Sequence, residues 1–160
     1  MATLPTLSTV DASSDVGSYA KTECVKDDNT GLVWEGKLTG STASTRAGGA
    51  TFTKKQAGNN GSTAAIPTDA ADYVTYVNNL SLCGYTDWRM PTAKELLGIV
   101  DFGLASGARI NGTWFLNTQS GTYWSSSVNR SNSQSFWYVD FSGATGTGTA
   151  PSSSVDNKVN

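Results

Sequence analysis

The last third of the chain leaves little choice of architecture. "GTWFLN" (112–117), "GTYWSSS" (121–127), "SFWYVDF" (135–141) and "GATGTGTA" (143–150) follow one another across short gaps. A parallel crossover needs a dozen or more residues, so strands this close together are expected to pair antiparallel through hairpins. Along SFWYVDF alternate side chains point to opposite faces. Trp137, Val139 and Phe141 then share one face, and Phe136, Tyr138 and Asp140 the other. Together with Trp124 the first set reads as core. Aromatic rings on the second face require a covering layer or a partner from outside the protein.

Upstream the period changes. In "CVKDDNTGLVWEG" (24–36) a turn at 27–31 separates two apolar pieces, because Asp and Asn bond their own backbone and Gly accepts a positive φ. A hairpin with Leu32 and Trp34 on one face follows. The Asp pair lacks the later ligands of a calcium loop and reads as a solvated turn. Residues 36–67, mostly Gly, Ser, Thr and Asn, read as a long surface excursion. Thr68 is expected to cap a helix starting at Asp69, with Tyr73, Val74, Val77 and Leu80 inward, and Gly84 to take a left-handed conformation after it. Thr92 and Glu95 have capping-box spacing and open a second helix with Leu96, Leu97 and Val100 inward. Hairpin, helices, then antiparallel strands is the order of an α+β domain.

Composition narrows the function. Histidine is absent, which removes the usual neutral-pH base and every Ser-His or Cys-His constellation, so an enzyme is not expected. A net charge of −2 and no basic block argue against a nucleic-acid partner. No apolar run approaches a membrane span and no signal-peptide pattern opens the chain. Residues 1–22 read as an arm or linker and 23–160 as the domain. The lone cysteines, Cys24 and Cys83, are open to three readings: buried thiols, a disulfide or part of a metal site. Without CxxC spacing or histidine, a disulfide is favoured over zinc, and it presumes an oxidising compartment. No cofactor is expected.

The elements "DDNTGLVWE", "LCGYTDWRMPTAKEL", "YWSSS" and "WYVDF", in this order, resemble the Lcl C-terminal domain family, named for a collagen-like adhesin. The resemblance spans about 24–141. It implies a C-type-lectin-like fold, with two helices packed on a twisted antiparallel sheet with long loops, in a secreted or surface adhesion module. Several members carry cysteine at the places of Cys24 and Cys83, and some bind sulfated glycans. The mildly acidic charge makes heparin-like ligands an unfavourable expectation here. The family usually closes with a "VRCVR"-like strand, and "SSSVDNKVN" stands in its place. An unpaired edge of that kind invites a neighbouring subunit.

Asp87, Trp88 and Arg89 read as scaffold, with Trp88 in the core and Asp87 accepting bonds from the backbone or from Arg. The segment "SVNRSNSQS" (127–135) reads as a polar loop beside the aromatic second face. Rigid rings with adaptable small polar groups make a binding surface. The expected ligand-binding set is therefore Asn129, Arg130, Asn132, Ser133, Gln134, Phe136, Tyr138 and Asp140, contacting a glycan or a cell-surface protein. The alternative is a subunit of a filament or pilus whose sheet a neighbouring chain completes.

Overall fold

The computed structural model describes residues 6–9, 23–39, 45–52, 67, 69–130, 132–142 and 147–149. It is an α+β domain with two small antiparallel sheets rather than one. Strands β1 (Leu7–Thr9), β2 (Cys24–Asp27) and β3 (Val33–Glu35) form the first, in that order. Strands β4 (Thr122–Asn129), β5 (Asn132–Asp140) and β6 (Thr147–Thr149) form the second. Helices α1 (Ala70–Asn79) and α2 (Ala93–Gly98) lie between them in sequence. Among the described residues no helix is long and apolar enough to cross a membrane. The N-terminal segment, expected as an arm, supplies an edge strand: Leu7 pairs with Asp27 and packs against the core.

The first hairpin forms as its turn chemistry dictates. Asp27 Oδ1 accepts the Asn29 N–H at 2.9 Å, Oδ2 accepts the Thr30 hydroxyl at 2.6 Å, and Gly31 has φ +76°. Because the strand period is two, β2 and β3 then present different sets to their two faces. Val25 and Trp34 join a core with Leu96, Ile99, Val100, Tyr123, Val139 and Phe141. Cys24 and Val33 face a second core with Phe52, Tyr73, Val77, Leu82 and Trp88. Trp124, Ala70 and Met90 form a third, with Phe136 and Tyr138 packed against it. A disulfide joins Cys24 to Cys83, tying the first sheet to the turn after α1 across a sequence separation of 59.

Several expectations shift. The cap of α1 is Asp69, whose Oδ1 accepts the N–H groups of Ala71 and Asp72 at 2.8 Å each; Thr68 lies outside the described residues. Leu80 stands at the helix C-cap and is exposed, as is Leu97, while Ile99 is buried in its place. For Leu80 the apolar stripe has run past the last helical turn, where the backbone no longer aims side chains inward; Leu97 lies within α2 and faces solvent. Gly84 is left-handed as expected (φ +83°), and so are Ser81 and Cys83 (φ +48° and +53°). Residues 112–117 form turns, not a strand. Asn111 nucleates them, its side chain accepting the Thr113 N–H at 3.0 Å and its carbonyl the Phe115 N–H at 2.9 Å.

The largest departure is in 36–67, where part of the expected surface excursion is core. Ala47, Ala50 and Phe52 are buried, and so are the charged Lys37 and Arg46. The two charged residues converge on Glu35. Its Oε1 accepts the Tyr73 hydroxyl at 2.6 Å and Arg46 Nε at 2.9 Å, and its Oε2 accepts Lys37 Nζ at 3.1 Å. Arg46 Nη1 reaches Glu23 at 2.7 Å. Burial alone would raise the Glu35 pKa, but Lys37, Arg46 and the Tyr73 hydroxyl outweigh it and hold the carboxyl below its ordinary range. Gly48 lets this segment close: a Cβ there would stand 2.0 Å from the Asn117 carbonyl oxygen.

Removing the charge of Glu35 while keeping its shape strands two buried cations. Glu35→Gln is expected to destabilise by about 3 to 5 kcal/mol. Tyr73→Phe, which removes the hydroxyl's bonds to Glu35 and Lys37 but leaves every charge in place, is expected to cost only about 1 to 3 kcal/mol. Urea denaturation followed by circular dichroism separates the two, and an equal loss would deny Glu35 its anchoring role.

Candidate functional site

The site is set up by how the start of α2 meets β4. The capping box is present in full: Thr92 Oγ1 accepts the Glu95 N–H at 3.2 Å, and Glu95 Oε2 accepts the Thr92 N–H at 2.7 Å. Glu95 also receives the Arg89 fork, Nη1 at 3.0 Å and Nη2 at 2.8 Å. Arg89 therefore pairs with Glu95, and Asp87 is exposed. Trp88 is buried as expected, its Nε1–H donating to the Leu82 carbonyl at 3.2 Å and its N–H to Asn78 Oδ1 at 2.7 Å.

The serines of "YWSSS" fasten this corner to the second sheet. Ser126 N–H donates to the Pro91 carbonyl at 2.8 Å, the Ala93 N–H to Ser127 Oγ at 3.1 Å, and Ser125 Oγ–H to the Trp137 carbonyl at 2.6 Å. Trp124 pairs with Tyr138 but the next pair is Val128 with Phe136, so residues 125–127 stand opposite Trp137 alone. A bulge of this kind bends its strand and re-aims the side chains around it. Trp137 keeps the same strand face as Val139 but is half-buried, whereas Val139 is fully buried. The expectation that Trp137 belongs to the core is corrected accordingly.

An open cleft of about 530 Å³ results, bounded by Trp137, the exposed Val128, Asn129, Arg130 and Ser127, and on the helix side by Ala93 and Lys94. A second cleft of about 580 Å³ lies on the other side of Lys94, between α2 and the turn at Asn29–Leu32. The carboxylates beside that second cleft, Asp27 and Glu95, are already engaged in their own turn and cap.

The expected ligand-binding residues do not gather at one place. Asn129 pairs with Asn132, so the expected loop 127–135 is a tight hairpin between two long strands. Asn129 and Arg130 reach the cleft. For Asn132, Ser133 and Gln134 only the backbone position in β5 is described. Phe136 and Tyr138 are half-buried against Ala70, Met90, Trp124 and Val74, so the second aromatic face is largely covered by the α1 side of the domain. Asp140 stands at the far end of β5, roughly 26 Å along the strand from Asn132 at the usual rise. There its Oδ1 accepts the Ser142 N–H at 2.7 Å. Sequence reasoning missed Lys94, which precedes Arg130 by 36 residues and lies on another element, and Trp137, which the alternation assigned to the core.

Fold and cleft together define a disulfide-linked α+β domain with an open, aromatic-walled surface site. The chain belongs to the Lcl C-terminal domain family, whose pattern matches residues 23–158. No curated protein and no solved structure matches it.

The corner that carries the cleft is acid-sensitive. The Arg89 fork and the Thr92 cap hold the Glu95 pKa at about 2, against an ordinary 4.5. A depressed carboxyl stabilises the fold fully above its unfolded pKa and loses that contribution as pH falls from about 4.5 through about 2. Arg89 is half-exposed, so solvent screens part of the effect. Thermal melting from pH 6 to pH 2 is expected to show a fall in wild type that Glu95→Gln flattens. An unchanged pH profile in that variant would refute the assignment.

Proposed function

We propose that this chain is a non-enzymatic recognition or adhesion domain working outside the cell, with a C-type-lectin-like arrangement. It binds a glycan or a surface-protein ligand at the cleft beside the β4–β5 hairpin. One observation carries the reading: a half-buried indole, Trp137, shares an open cleft with Arg130, Asn129 and Lys94. Aromatic and Arg anchors framed by adaptable polar groups are the composition of recognition surfaces. The remaining chemistry leans the same way. The chain has no histidine, and both cysteines are joined, so neither thiol is a nucleophile. The buried Glu35, Lys37 and Arg46 are engaged with one another. A disulfide fits an oxidising compartment.

The test is a glycan array and a cell-surface capture experiment with wild type, Arg130→Ala and Trp137→Ala. Arg130 is exposed, so its replacement leaves folding intact and is expected to weaken capture roughly tenfold or more. Wild-type binding by both variants would sink the cleft as the site.

A second reading, a subunit of a larger assembly, is favoured by the exposed large apolar residues Leu97, Phe102 and Leu104, at 38%, 56% and 38% exposure. They lie within eight residues of one another in the chain, and a large apolar patch in solvent would mark a contact surface. Light scattering over a concentration series is expected to show growth in mass that Phe102→Ser suppresses. A constant monomer mass at every concentration removes this reading.

A further inference from the structure

The charge of the cleft says more about its ligand than its shape does. Among the described residues that line it, the ionisable side chains are Lys94 and Arg130, both cations, although the chain as a whole carries −2. Among the described residues neither enters an ion pair and no carboxylate lines the cleft. Both are exposed. Arg130 sits at the hairpin turn and Lys94 in the first turn of α2, on different elements that the serine bonds hold in register. Trp137 supplies a flat apolar wall beside them.

We propose that this cleft selects the carboxylate of a sugar acid. The inference rests on the recognition reading above and narrows it from a glycan or surface protein to a single acidic sugar residue. A carboxylate takes two parallel N–H bonds from a guanidinium, and the Lys94 ammonium adds a second, non-directional charge. A pyranose ring offers a C–H face to the indole while its hydroxyls meet short polar side chains such as Ser127. About 530 Å³ accommodates one or two such rings. A polysulfated chain fits less well. It needs a track of cations along its length, and among the described residues two line the cleft, on a mildly acidic domain. The site therefore reads one terminal charge together with a ring, not a charge density.

The experiment is an NMR titration of the ¹⁵N-labelled full chain at low salt, following the Trp137 indole N–H, assigned by its loss in Trp137→Phe. The probes are methyl β-glucuronide, methyl β-glucoside, N-acetylglutamate amide and a heparin-derived oligosaccharide. The glucuronide is expected to shift the Trp137 signal saturably and to bind at least tenfold more tightly than the glucoside. Arg130→Gln and Lys94→Gln, both exposed substitutions, are each expected to reduce that preference to near unity while leaving the other indole signals in place. Equal binding of glucuronide and glucoside overturns the carboxylate inference but leaves recognition at this cleft standing. Binding of the capped glutamate in preference to the glucuronide assigns the acid to a protein ligand and overturns the sugar. Tighter binding of the heparin oligosaccharide with a steep salt dependence overturns the single-charge reading. No response at Trp137 to any probe overturns the inference. Glycan-array capture abolished by Arg130→Ala would in that case still keep the broader reading apart from it.

Discussion

A buried carboxylate holds this domain together. Glu35 ends the second strand of the first hairpin on the face that looks toward α1, where no water can solvate it. Its charge persists because Lys37, Arg46 and the Tyr73 hydroxyl surround it within hydrogen-bonding distance. Taking these groups out of water is expensive, and only a complete set of partners offsets the cost. The set is drawn from β3, the segment that follows it, a later part of that same segment and α1. Satisfying one carboxylate therefore fixes how four stretches of chain meet. Arg46 passes the constraint on to Glu23, next to the disulfide that ties β2 to the end of α1.

The cleft depends on a different set of bonds at the opposite side of the fold. Three consecutive serines of β4 use hydroxyl and backbone groups to hold the start of α2 and the backbone of Trp137. The bulge they occupy breaks the alternation that would have buried Trp137 beside Val139. Local irregularity of this type is how a regular sheet presents an aromatic side chain at its surface. The capping box does the complementary work on the helix side, because Glu95 satisfies the helix start and the Arg89 fork together. Lys94, between them in sequence, is left free to face the cleft.

How much of this could be read from the sequence depended on the range of the interaction involved. The hairpin turn at Asp27–Gly31 and the capping box at Thr92–Glu95 were legible because their partners lie within three or four residues of one another. The α+β order followed from the change of period and the closeness of the strand segments. Phe141 was legible as core from the alternation of its strand, and Trp88 from the scaffold reading of the DWR run. Lys37 and Arg46, by contrast, look like surface residues in a polar stretch, and nothing nearby announces that Glu35 will draw them inside. Asn111 overrode the strand pattern of 112–117 through bonds that compete with a ladder. Phe136 and Tyr138 do lie on a common face, but sequence periodicity does not say which face the rest of the fold will pack against.

The sequence alone thus determined the class of domain, the two turn-and-cap signatures that start its helix and hairpin, and the aromatic alternation of the fifth strand. Each is a property of residues close enough to feel one another before the chain folds. Tertiary structure decided the rest. Burial of charge is a pairwise matter between distant residues. The register of the serine bulge sets which ring of "FWYVDF" meets solvent. The meeting of Lys94 and Arg130 over Trp137 exists only once a helix and a hairpin have been packed against each other.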